Sequence, residues 1–233
     1  MKKIFYSILS VLFSLQLLFI LLISSFEAVC YWMPGYYEQE FRKYQVAEEM
    51  AAWTGEKISY ESLDEVIRQT MRYLRGEREN LIVPVEINGR EQEFYNENEK
   101  GHMADVRLLF LRSITLRALA CLNCLAILAF LIILEHHRAL TILGGGFLRT
   151  GAVLLLLALL LGAATANDFT RYFTIFHEIL FRQGNWLFDP RQSRMINMLP
   201  EGFFSDTALR ILLVFLASTA LFGFVGFIAS RRK

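Results

Sequence analysis

The sequence predicts an all-α membrane protein: a bundle of four transmembrane helices with a small α+β extracytoplasmic domain between helices 1 and 2. Two observations indicate a membrane protein, because 55% of the residues are hydrophobic and the mean hydropathy of +0.37 is high for a soluble domain. A third gives the architecture, since four apolar runs alternate with polar segments. The formal net charge is only +1, and no basic tract favours nucleic-acid binding.

The first apolar run, residues 4–26, is interrupted only by serines and Gln16. At about 1.5 Å per residue it is long enough to cross a hydrocarbon core of about 30 Å, so residues 1–30 are predicted to form the first transmembrane helix. Lys2 and Lys3 precede it and should keep the amino terminus in the cytoplasm. The run exceeds the apolar part of a typical signal peptide, so we expect a retained anchor.

The polar residues 31–106 are predicted to form an extracytoplasmic domain. Residues 36–53 have helical composition. The next helix is expected to begin at Ser59 or at Ser62, where a capping box starts, and to end at Gly76.

Two strand-like runs, residues 81–87 and 90–95, then flank Asn88-Gly89, a dipeptide typical of tight β-hairpins. The predicted α+β domain is too small to hold a deep pocket of its own. We therefore expect it to act as a lid or docking surface over the bundle.

Residues 107–233 are predicted to hold the other three transmembrane helices. The second apolar run, residues 114–134, leads inward to a short cytoplasmic loop at residues 135–149, where three glycines, 144–146, are expected to form a flexible turn. These glycines lack the lysine and hydroxyl residue of a phosphate-binding loop, so no nucleotide is expected.

The third run, residues 150–166, carries Ala158, Gly162 and Ala166 at four-residue spacing, a stripe suited to close helix contact. The fourth run, residues 207–229, returns the chain to a basic carboxyl terminus. Basic residues at both termini and in the central loop predict that both ends of the chain are cytoplasmic.

Between these two runs lies an external aromatic loop, residues 167–206. It begins with a segment in which aromatic and aliphatic residues recur at helical spacing, with His177 at the border between the apolar and the polar face. The predicted stripe comprises Phe169, Tyr172, Phe173, Phe176 and Leu180. Trp186, further along the loop, is typical of the aromatic belt at a membrane interface.

This topology places His102 and His177 outside, whereas His136 and His137 fall in the cytoplasmic loop. Asp105 is three residues after His102, so on a helix its carboxylate can accept a hydrogen bond from the imidazole. Two histidines on one side of a small bundle suit general acid/base chemistry on a substrate presented from the outer leaflet.

Charged residues accompany both histidines: Asp105 and Arg107 near His102, and Asp168, Arg171 and Glu178 near His177. The serine hydrolase motif GxSxG and the zinc protease motif HExxH are both absent. Cys121 and Cys124 form a CxxC without a second ligand pair, and we expect them to serve packing rather than metal binding. No metal and no cofactor are therefore expected.

Four motifs together resemble the Lit family, the bacterial lipoprotein intramolecular transacylases. They are GHMADVR (101–107) preceded by Glu97 and Glu99, FHEILF (176–181), NWLFDP (185–190) and LPEGFF (199–204). The resemblance covers nearly the whole chain, including the order of crossings and the external domain. The functional histidines of the family correspond to His102 and His177.

The resemblance implies an acyl shift within a diacylglyceryl lipoprotein in the bacterial cell membrane. The acyl chain on the secondary glyceryl ester moves to the α-amino group of the same amino-terminal cysteine, which gives a lyso-form lipoprotein. The implied partners are this substrate and membrane lipid. Because an amide is more stable than an ester, the transfer needs no nucleotide.

We expect His177 to act as the base for the α-amino group, because aromatic surroundings favour its neutral form. His102, oriented by Asp105, would stabilise the oxyanion or pass the proton to the leaving glyceryl oxygen. The residues alone leave these roles exchangeable. The side chains expected to orient or bind the substrate are Asp105, Arg107, Glu99, Arg171 and Trp186.

Two other classes of function use the same features. One is a different outer-face acyltransferase or lipid hydrolase that works with the same histidines. The other is a membrane sensor or accessory protein without enzymatic activity, whose histidines respond to pH.

Overall fold

The structure is a computed structural model that describes residues 2–231, without the side chain of His137. Arg232 and Lys233, two of the basic residues on which the predicted orientation of the carboxyl terminus rests, therefore lie outside the described residues. The elements in chain order are α1 (Lys2–Trp32), α2 (Tyr36–Lys43), α3 (Val46–Thr54), α4 (Tyr60–Leu74), β1 (Pro84–Ile87), β2 (Arg90–Glu93), α5 (Glu97–Glu135), a 3-10 turn (His136–Arg138), α6 (Ala139–Asn167), α7 (Phe169–Leu180), α8 (Arg194–Met198) and α9 (Glu201–Arg231).

Helices α1, α5, α6 and α9 are long and apolar enough to cross a membrane, which confirms the four predicted runs. The longest is α5, whose 39 residues extend over roughly 58 Å at the usual helical rise, about twice the thickness of a hydrocarbon core. Its apolar run begins only at residue 114. The polar first turns of α5, which carry His102, therefore lie outside the membrane-spanning segment.

The chain folds as two compact units. One is helical and contains Ser113–Ala164 together with the two ends of the chain, up to Val29 and from Leu209. The other contains Cys30–Arg112 and Thr165–Ala208.

The predicted loop at residues 135–149 is wrong, because only the three-residue turn His136–Arg138 separates α5 from α6. The three glycines lie inside α6, where Gly144 and Gly146 serve packing. A Cβ atom on Gly144 would come within 2.5 Å of the backbone oxygen of Gly226 in α9, and one on Gly146 would overlap Ser10 in α1. In membrane helices, residues without side chains allow backbones to approach closely, and that contact outweighs the low helix propensity of glycine.

Of the small-residue stripe predicted further along α6, Ala158 and Gly162 pack in the helical unit, whereas Ala166 is exposed. A Cβ on Gly162 would lie 2.9 Å from the Leu212 side chain of α9. Ala158 packs on a buried apolar cluster in the same helical unit. The cluster comprises Leu18, Leu21, Phe147 and Phe215.

The second unit has an apolar core that α2, α3, α4 and the hairpin share. The sequence left the start of α4 open between Ser59 and Ser62. The helix is capped by Ser59, whose side chain accepts a hydrogen bond from the backbone N–H of Ser62. Gly76 follows the end of α4 with φ of 84°, as predicted. Some of the largest fully buried side chains are Phe41, Met50, Leu63, Ile87, Phe94, Tyr95 and Met198.

The predicted hairpin is present as β1 and β2. Asn88 and Gly89 have φ of 54° and 74°, the left-handed values that a two-residue turn of this type requires. Ile87 pairs with Arg90 across the turn. The strands are shorter than predicted, with Pro84 as the first residue of β1.

The segment Thr165–Ala208 belongs to the second unit and contributes α7 and α8 to it. Met195 and Met198 of α8 are buried in its core. In α7, His177 is the buried residue, whereas Phe176 and Leu180 of the predicted stripe are 49% and 41% exposed. The helix therefore turns its histidine inward and leaves much of its apolar face uncovered.

The Gly144 contact predicts a position-specific effect on stability. Replacing Gly144 with Ala should lower the free energy of unfolding by about 1–3 kcal/mol, the usual cost of overpacking, because the new methyl group meets the backbone of α9. Unfolding in detergent micelles measures this change.

The matched control is Gly145→Ala, since a Cβ at that position has no atom within 4 Å. It should be neutral or slightly stabilising, because alanine favours the helix over glycine. Equal destabilisation by both substitutions would show that helix contact does not explain these glycines.

Candidate active site

The two external histidines come together in the second unit. His102 lies near the start of α5 and His177 lies on α7, yet their ring centroids are 6.1 Å apart with planes inclined by 27°. Both side chains are buried, with 6% and 8% of their surface exposed. The predicted pairing of His102 with His177 is thus present in the structure. The rings are close enough for one bound substrate group to contact both.

Aromatic side chains surround the pair. Phe181 and Phe188 meet the His102 ring edge-on at centroid distances of 4.9 and 5.8 Å. Phe173 lies 4.2 Å from the His177 ring and Trp186 lies 5.0 Å from it. Rings packed at these distances displace water from the two imidazoles, so charge on either ring is poorly solvated.

The surroundings favour neutral imidazoles. Burial, and secondarily the neighbouring His177, lowers the pKa of His102 from 6.5 to about 4, although Asp105 and Asn185 act in the opposite direction. Burial also lowers the pKa of His177, against a smaller opposing effect of its hydrogen bond to Phe173. Both rings are therefore mainly uncharged at neutral pH and can accept a proton.

The tautomer of His177 follows from its backbone contact. Its Nδ1 atom lies 2.8 Å from the carbonyl oxygen of Phe173, one turn earlier in α7. A carbonyl oxygen only accepts hydrogen bonds, so Nδ1 carries the hydrogen. The lone pair of the neutral ring is then on Nε2, which is the atom able to act as a base.

The predicted hydrogen bond between His102 and Asp105 is wrong. The Nδ1 atom of His102 is buried without a partner. The Asp105 carboxylate instead accepts hydrogen bonds from the side-chain amides of Gln183 and Asn185, at 2.6 and 2.9 Å. These partners belong to the segment after α7, so Asp105 joins that segment to α5 and affects His102 through its charge.

Glu99 is fully buried and organises the start of α5. Its carboxylate accepts from the backbone N–H of Asn96 at 2.8 Å, and the Asn96 side chain accepts from the N–H of Glu99 at 3.0 Å. This reciprocal pair is a capping box built with asparagine. Glu99 also accepts from the Ser193 hydroxyl at 2.6 Å and the Met195 N–H at 2.9 Å, so it fixes α8 relative to His102.

The remaining predicted side chains divide between the site and its surroundings. Trp186 is at the His177 ring. Arg107 is held away from the rings, because its guanidinium donates to the backbone oxygen of Arg78 at 2.9 Å and lies 4.7 Å above the Tyr73 ring. Arg171 is exposed on α7.

Sequence reasoning missed Asn185 as a functional candidate, along with the aromatic contacts of Phe181 and Phe188. Their only signal was their place in the motifs FHEILF and NWLFDP. Within residues 2–231, no group of three or more histidine, cysteine or acidic side chains is placed to hold a metal ion. A polar groove of about 1160 Å³ between α4 and the hairpin is lined by neither histidine.

Comparison with known proteins gives a family match and a fold match. Residues 11–204 match the family model described as lipoprotein intramolecular transacylase Lit. No curated protein matches the sequence. Among solved structures, the chain is similar to the membrane integral lipoprotein intramolecular transacylase Lit from Bacillus cereus, with a TM-score of 0.78 at 18% identity over 97% of this chain and 96% of that one.

Two structures of variants of the Bacillus cereus protein, in which one histidine is replaced by arginine or by alanine, are also similar. Their TM-scores are 0.73 and 0.72, both at 19% identity. The matches cover 98% and 97% of this chain and 93% and 94% of those chains. At these identities, the likeness shows a shared fold.

The lowered pKa of His102 predicts how stability changes with pH. Between pH 6.5 and about 4 the unfolded chain binds a proton at this histidine that the folded protein does not bind. Stability should therefore fall as the pH is lowered through this window. Unfolding free energies of the protein and of His102→Gln, measured at several pH values, isolate this contribution.

We expect the His102→Gln variant to lose less stability than the unmodified protein over the same window. Carboxyl groups that also titrate there are common to both proteins and cancel in the comparison. Parallel curves, or a measured His102 pKa at or above 6.5, would contradict the account of the buried pair.

Proposed function

The chain belongs to the Lit family of lipoprotein intramolecular transacylases, which are acyltransferases, and from this membership we propose the reaction that it catalyses. The acyl chain on the secondary glyceryl ester of a diacylglyceryl lipoprotein moves to the α-amino group of the same amino-terminal cysteine. A C–N bond forms, the ester C–O bond breaks, and one proton passes from nitrogen to the glyceryl oxygen. The product is a lyso-form lipoprotein.

The observation that supports this proposal most strongly is the pair of buried imidazoles 6.1 Å apart. The reaction requires one group that removes a proton from nitrogen and one that supplies a proton to oxygen. Nucleophile and ester belong to the same molecule, so orientation of the two supplies much of the rate enhancement. Because the amide product is more stable than the ester, no nucleotide is required.

We assign His177 as the base. An α-amino group titrates near pH 7.7–8.0 in water, so at neutral pH much of it is protonated and must lose a proton before it attacks. The bond from Nδ1 to the Phe173 oxygen leaves the lone pair of His177 on Nε2. Burial favours this neutral form.

We assign His102 to the ester. It would stabilise the developing oxyanion or pass the proton to the leaving glyceryl oxygen. Trp186, 5.0 Å from His177, would form a wall for the substrate. Glu99 and Asp105 would support the two rings by fixing the segments that carry them.

Of the two arginines predicted to contact the substrate, one receives a different assignment. Arg107 would secure the segment after α4, where its guanidinium is held. Arg171, exposed on α7, remains a proposed contact for the lipid headgroup.

The uncovered apolar face of α7 supports a substrate that comes from lipid. Ile179 and Phe176 on this helix are 62% and 49% exposed, and Leu187 in the next segment is 75% exposed. The helix begins at Phe169, immediately after the membrane-spanning α6 ends at Asn167. A helix in this position with an exposed apolar face is suited to lie in the membrane interface, where acyl chains are available.

We further propose that both termini are cytoplasmic and that the histidine pair faces outward. Lys2 and Lys3 are the first two residues of α1, Arg138 lies in the turn between α5 and α6, and Arg231 ends α9. An excess of basic residues marks cytoplasmic segments. The polar start of α5, with His102, lies at the opposite end of that helix from Arg138.

The test is mass spectrometry of a model diacylglyceryl lipoprotein co-expressed with this protein. We predict unchanged total mass with an acylated α-amino group. His102→Ala and His177→Ala should each abolish the product, since each removes one of the two proton-transfer groups. His136→Ala is the matched control and should act as the unmodified protein does, because His136 lies in the turn after α5.

Other outcomes identify the alternatives. Loss of one acyl chain from the model lipoprotein would indicate a lipid hydrolase, and an unchanged lipoprotein would indicate a sensor or accessory role. A mixture of two isotopically labelled substrates separates transfer within one molecule from transfer in trans. Exchange of labels between them would contradict an intramolecular shift.

A further inference from the structure

Two buried polar atoms at the site lack hydrogen-bond partners in the part of the chain that the structure describes. They are Nδ1 of His102 and Oδ1 of Asn185. Buried polar groups are normally paired, so each exception needs an explanation. The Asn185 side chain is close enough to His102 to favour the protonated ring. The two unpaired atoms are chemically complementary, because a ring nitrogen can donate a hydrogen bond and an amide oxygen can accept one.

Asp105 determines which end of the Asn185 amide faces the ring. The Nδ2 group of Asn185 donates to the Asp105 carboxylate at 2.9 Å. A carboxylate only accepts hydrogen bonds, so the amide cannot turn without losing this contact. Oδ1 is consequently the end of the amide that remains for another partner.

We propose that Asn185 is the positioning residue of His102 and that Asp105 acts on the ring through it. In the working enzyme the amide oxygen of Asn185 accepts a hydrogen bond from Nδ1–H of His102. This inference rests on the proposed transacylase function and names a residue that the function alone does not supply. Hydrogen bonds in active sites are often long or poorly aligned before substrate binds, which fits two atoms that are each buried without a partner.

The consequence is chemical. With its hydrogen on Nδ1, the neutral ring of His102 presents the lone pair of Nε2 to the substrate. After His177 has taken the first proton from the ammonium group and the C–N bond has formed, Nε2 of His102 takes the second proton from the nitrogen. This makes an imidazolium that the Asn185 oxygen and the nearby Asp105 charge stabilise. His102 passes that proton to the glyceryl oxygen as the ester bond breaks, and His177 releases the first proton to solvent, so the protons balance.

Three substitutions test the proposal in the transfer assay with the full-length protein. Asn185→Ala and Asp105→Asn should each lower kcat about 10- to 100-fold with little change in KM, the usual effect of losing an orienting partner. Asn185→Asp loses the bond to Asp105 but keeps an oxygen that can face His102. The acid limb of its pH profile of kcat should move to higher pH, because a carboxylate beside His102 favours the imidazolium.

Gln183→Ala is the matched control. Gln183 donates to the same Asp105 oxygen as Asn185 does, but it is exposed and should not affect the ring. Its kcat should stay within about threefold of the unmodified enzyme, well short of the loss expected for an orienting partner. Equal losses of kcat in Gln183→Ala and Asn185→Ala would overturn the proposal. Asp105 would then only hold the two segments together.

A second measurement does not depend on the lipoprotein reaction. Nitrogen-15 chemical shifts of histidine distinguish the two neutral tautomers, and His102→Gln assigns the His102 signals among the four histidines. We expect the Nδ1–H tautomer in the unmodified protein and a mixture of both in Asp105→Asn. An Nε2–H tautomer of His102 in the unmodified protein would overturn the inference even if acyl transfer is observed.

Discussion

Two imidazole rings share one water-poor aromatic cluster, and this shared burial constrains the rest of the site. A charged ring among Phe181, Phe188 and Trp186 would lose most of its hydration, and a second charge 6.1 Å away would add repulsion. The rings therefore stay neutral at rest. Each charge that appears during the reaction then has to be stabilised by fixed neighbours, because water is not there to reorganise around it.

The acidic residues near the histidine pair are also held by fixed protein groups. Glu99 is buried and accepts hydrogen bonds from two backbone N–H groups and a hydroxyl. Asp105 accepts hydrogen bonds from two side-chain amides. Neutral donors therefore pair with both carboxylates. The same contacts fasten α5, α8 and the segment after α7 to one another.

Much of this fold could be predicted from the sequence because the signals were local. Apolar runs reveal spans without any tertiary information, and Asn88-Gly89 specifies a turn by its backbone preferences. His102 and His177 were identified as a pair from their order relative to the spans. Gly144 was misjudged because glycine favours flexible turns in water, whereas the structure uses it for contact between α6 and α9.

The finer chemistry of the site depends on contacts between distant segments, which the sequence does not display. Asp105 has His102 as its nearest candidate partner along the helix, yet its bonds go to Gln183 and Asn185. Arg107 was expected near the substrate, but Tyr73 and a backbone carbonyl hold it elsewhere. Spacing along the sequence indicates which hydrogen-bond partners a side chain could have. The packing of distant segments determines which of them it contacts.

The central claim is that both rings act on a single substrate. The most direct measurement is a structure of the protein with a phosphonate that imitates the tetrahedral centre formed by the α-amine and the secondary ester. The account predicts that the phosphonate group contacts the imidazoles of both His102 and His177. A phosphonate bound outside the aromatic cluster, or in contact with one ring while the other remains out of reach, would contradict it.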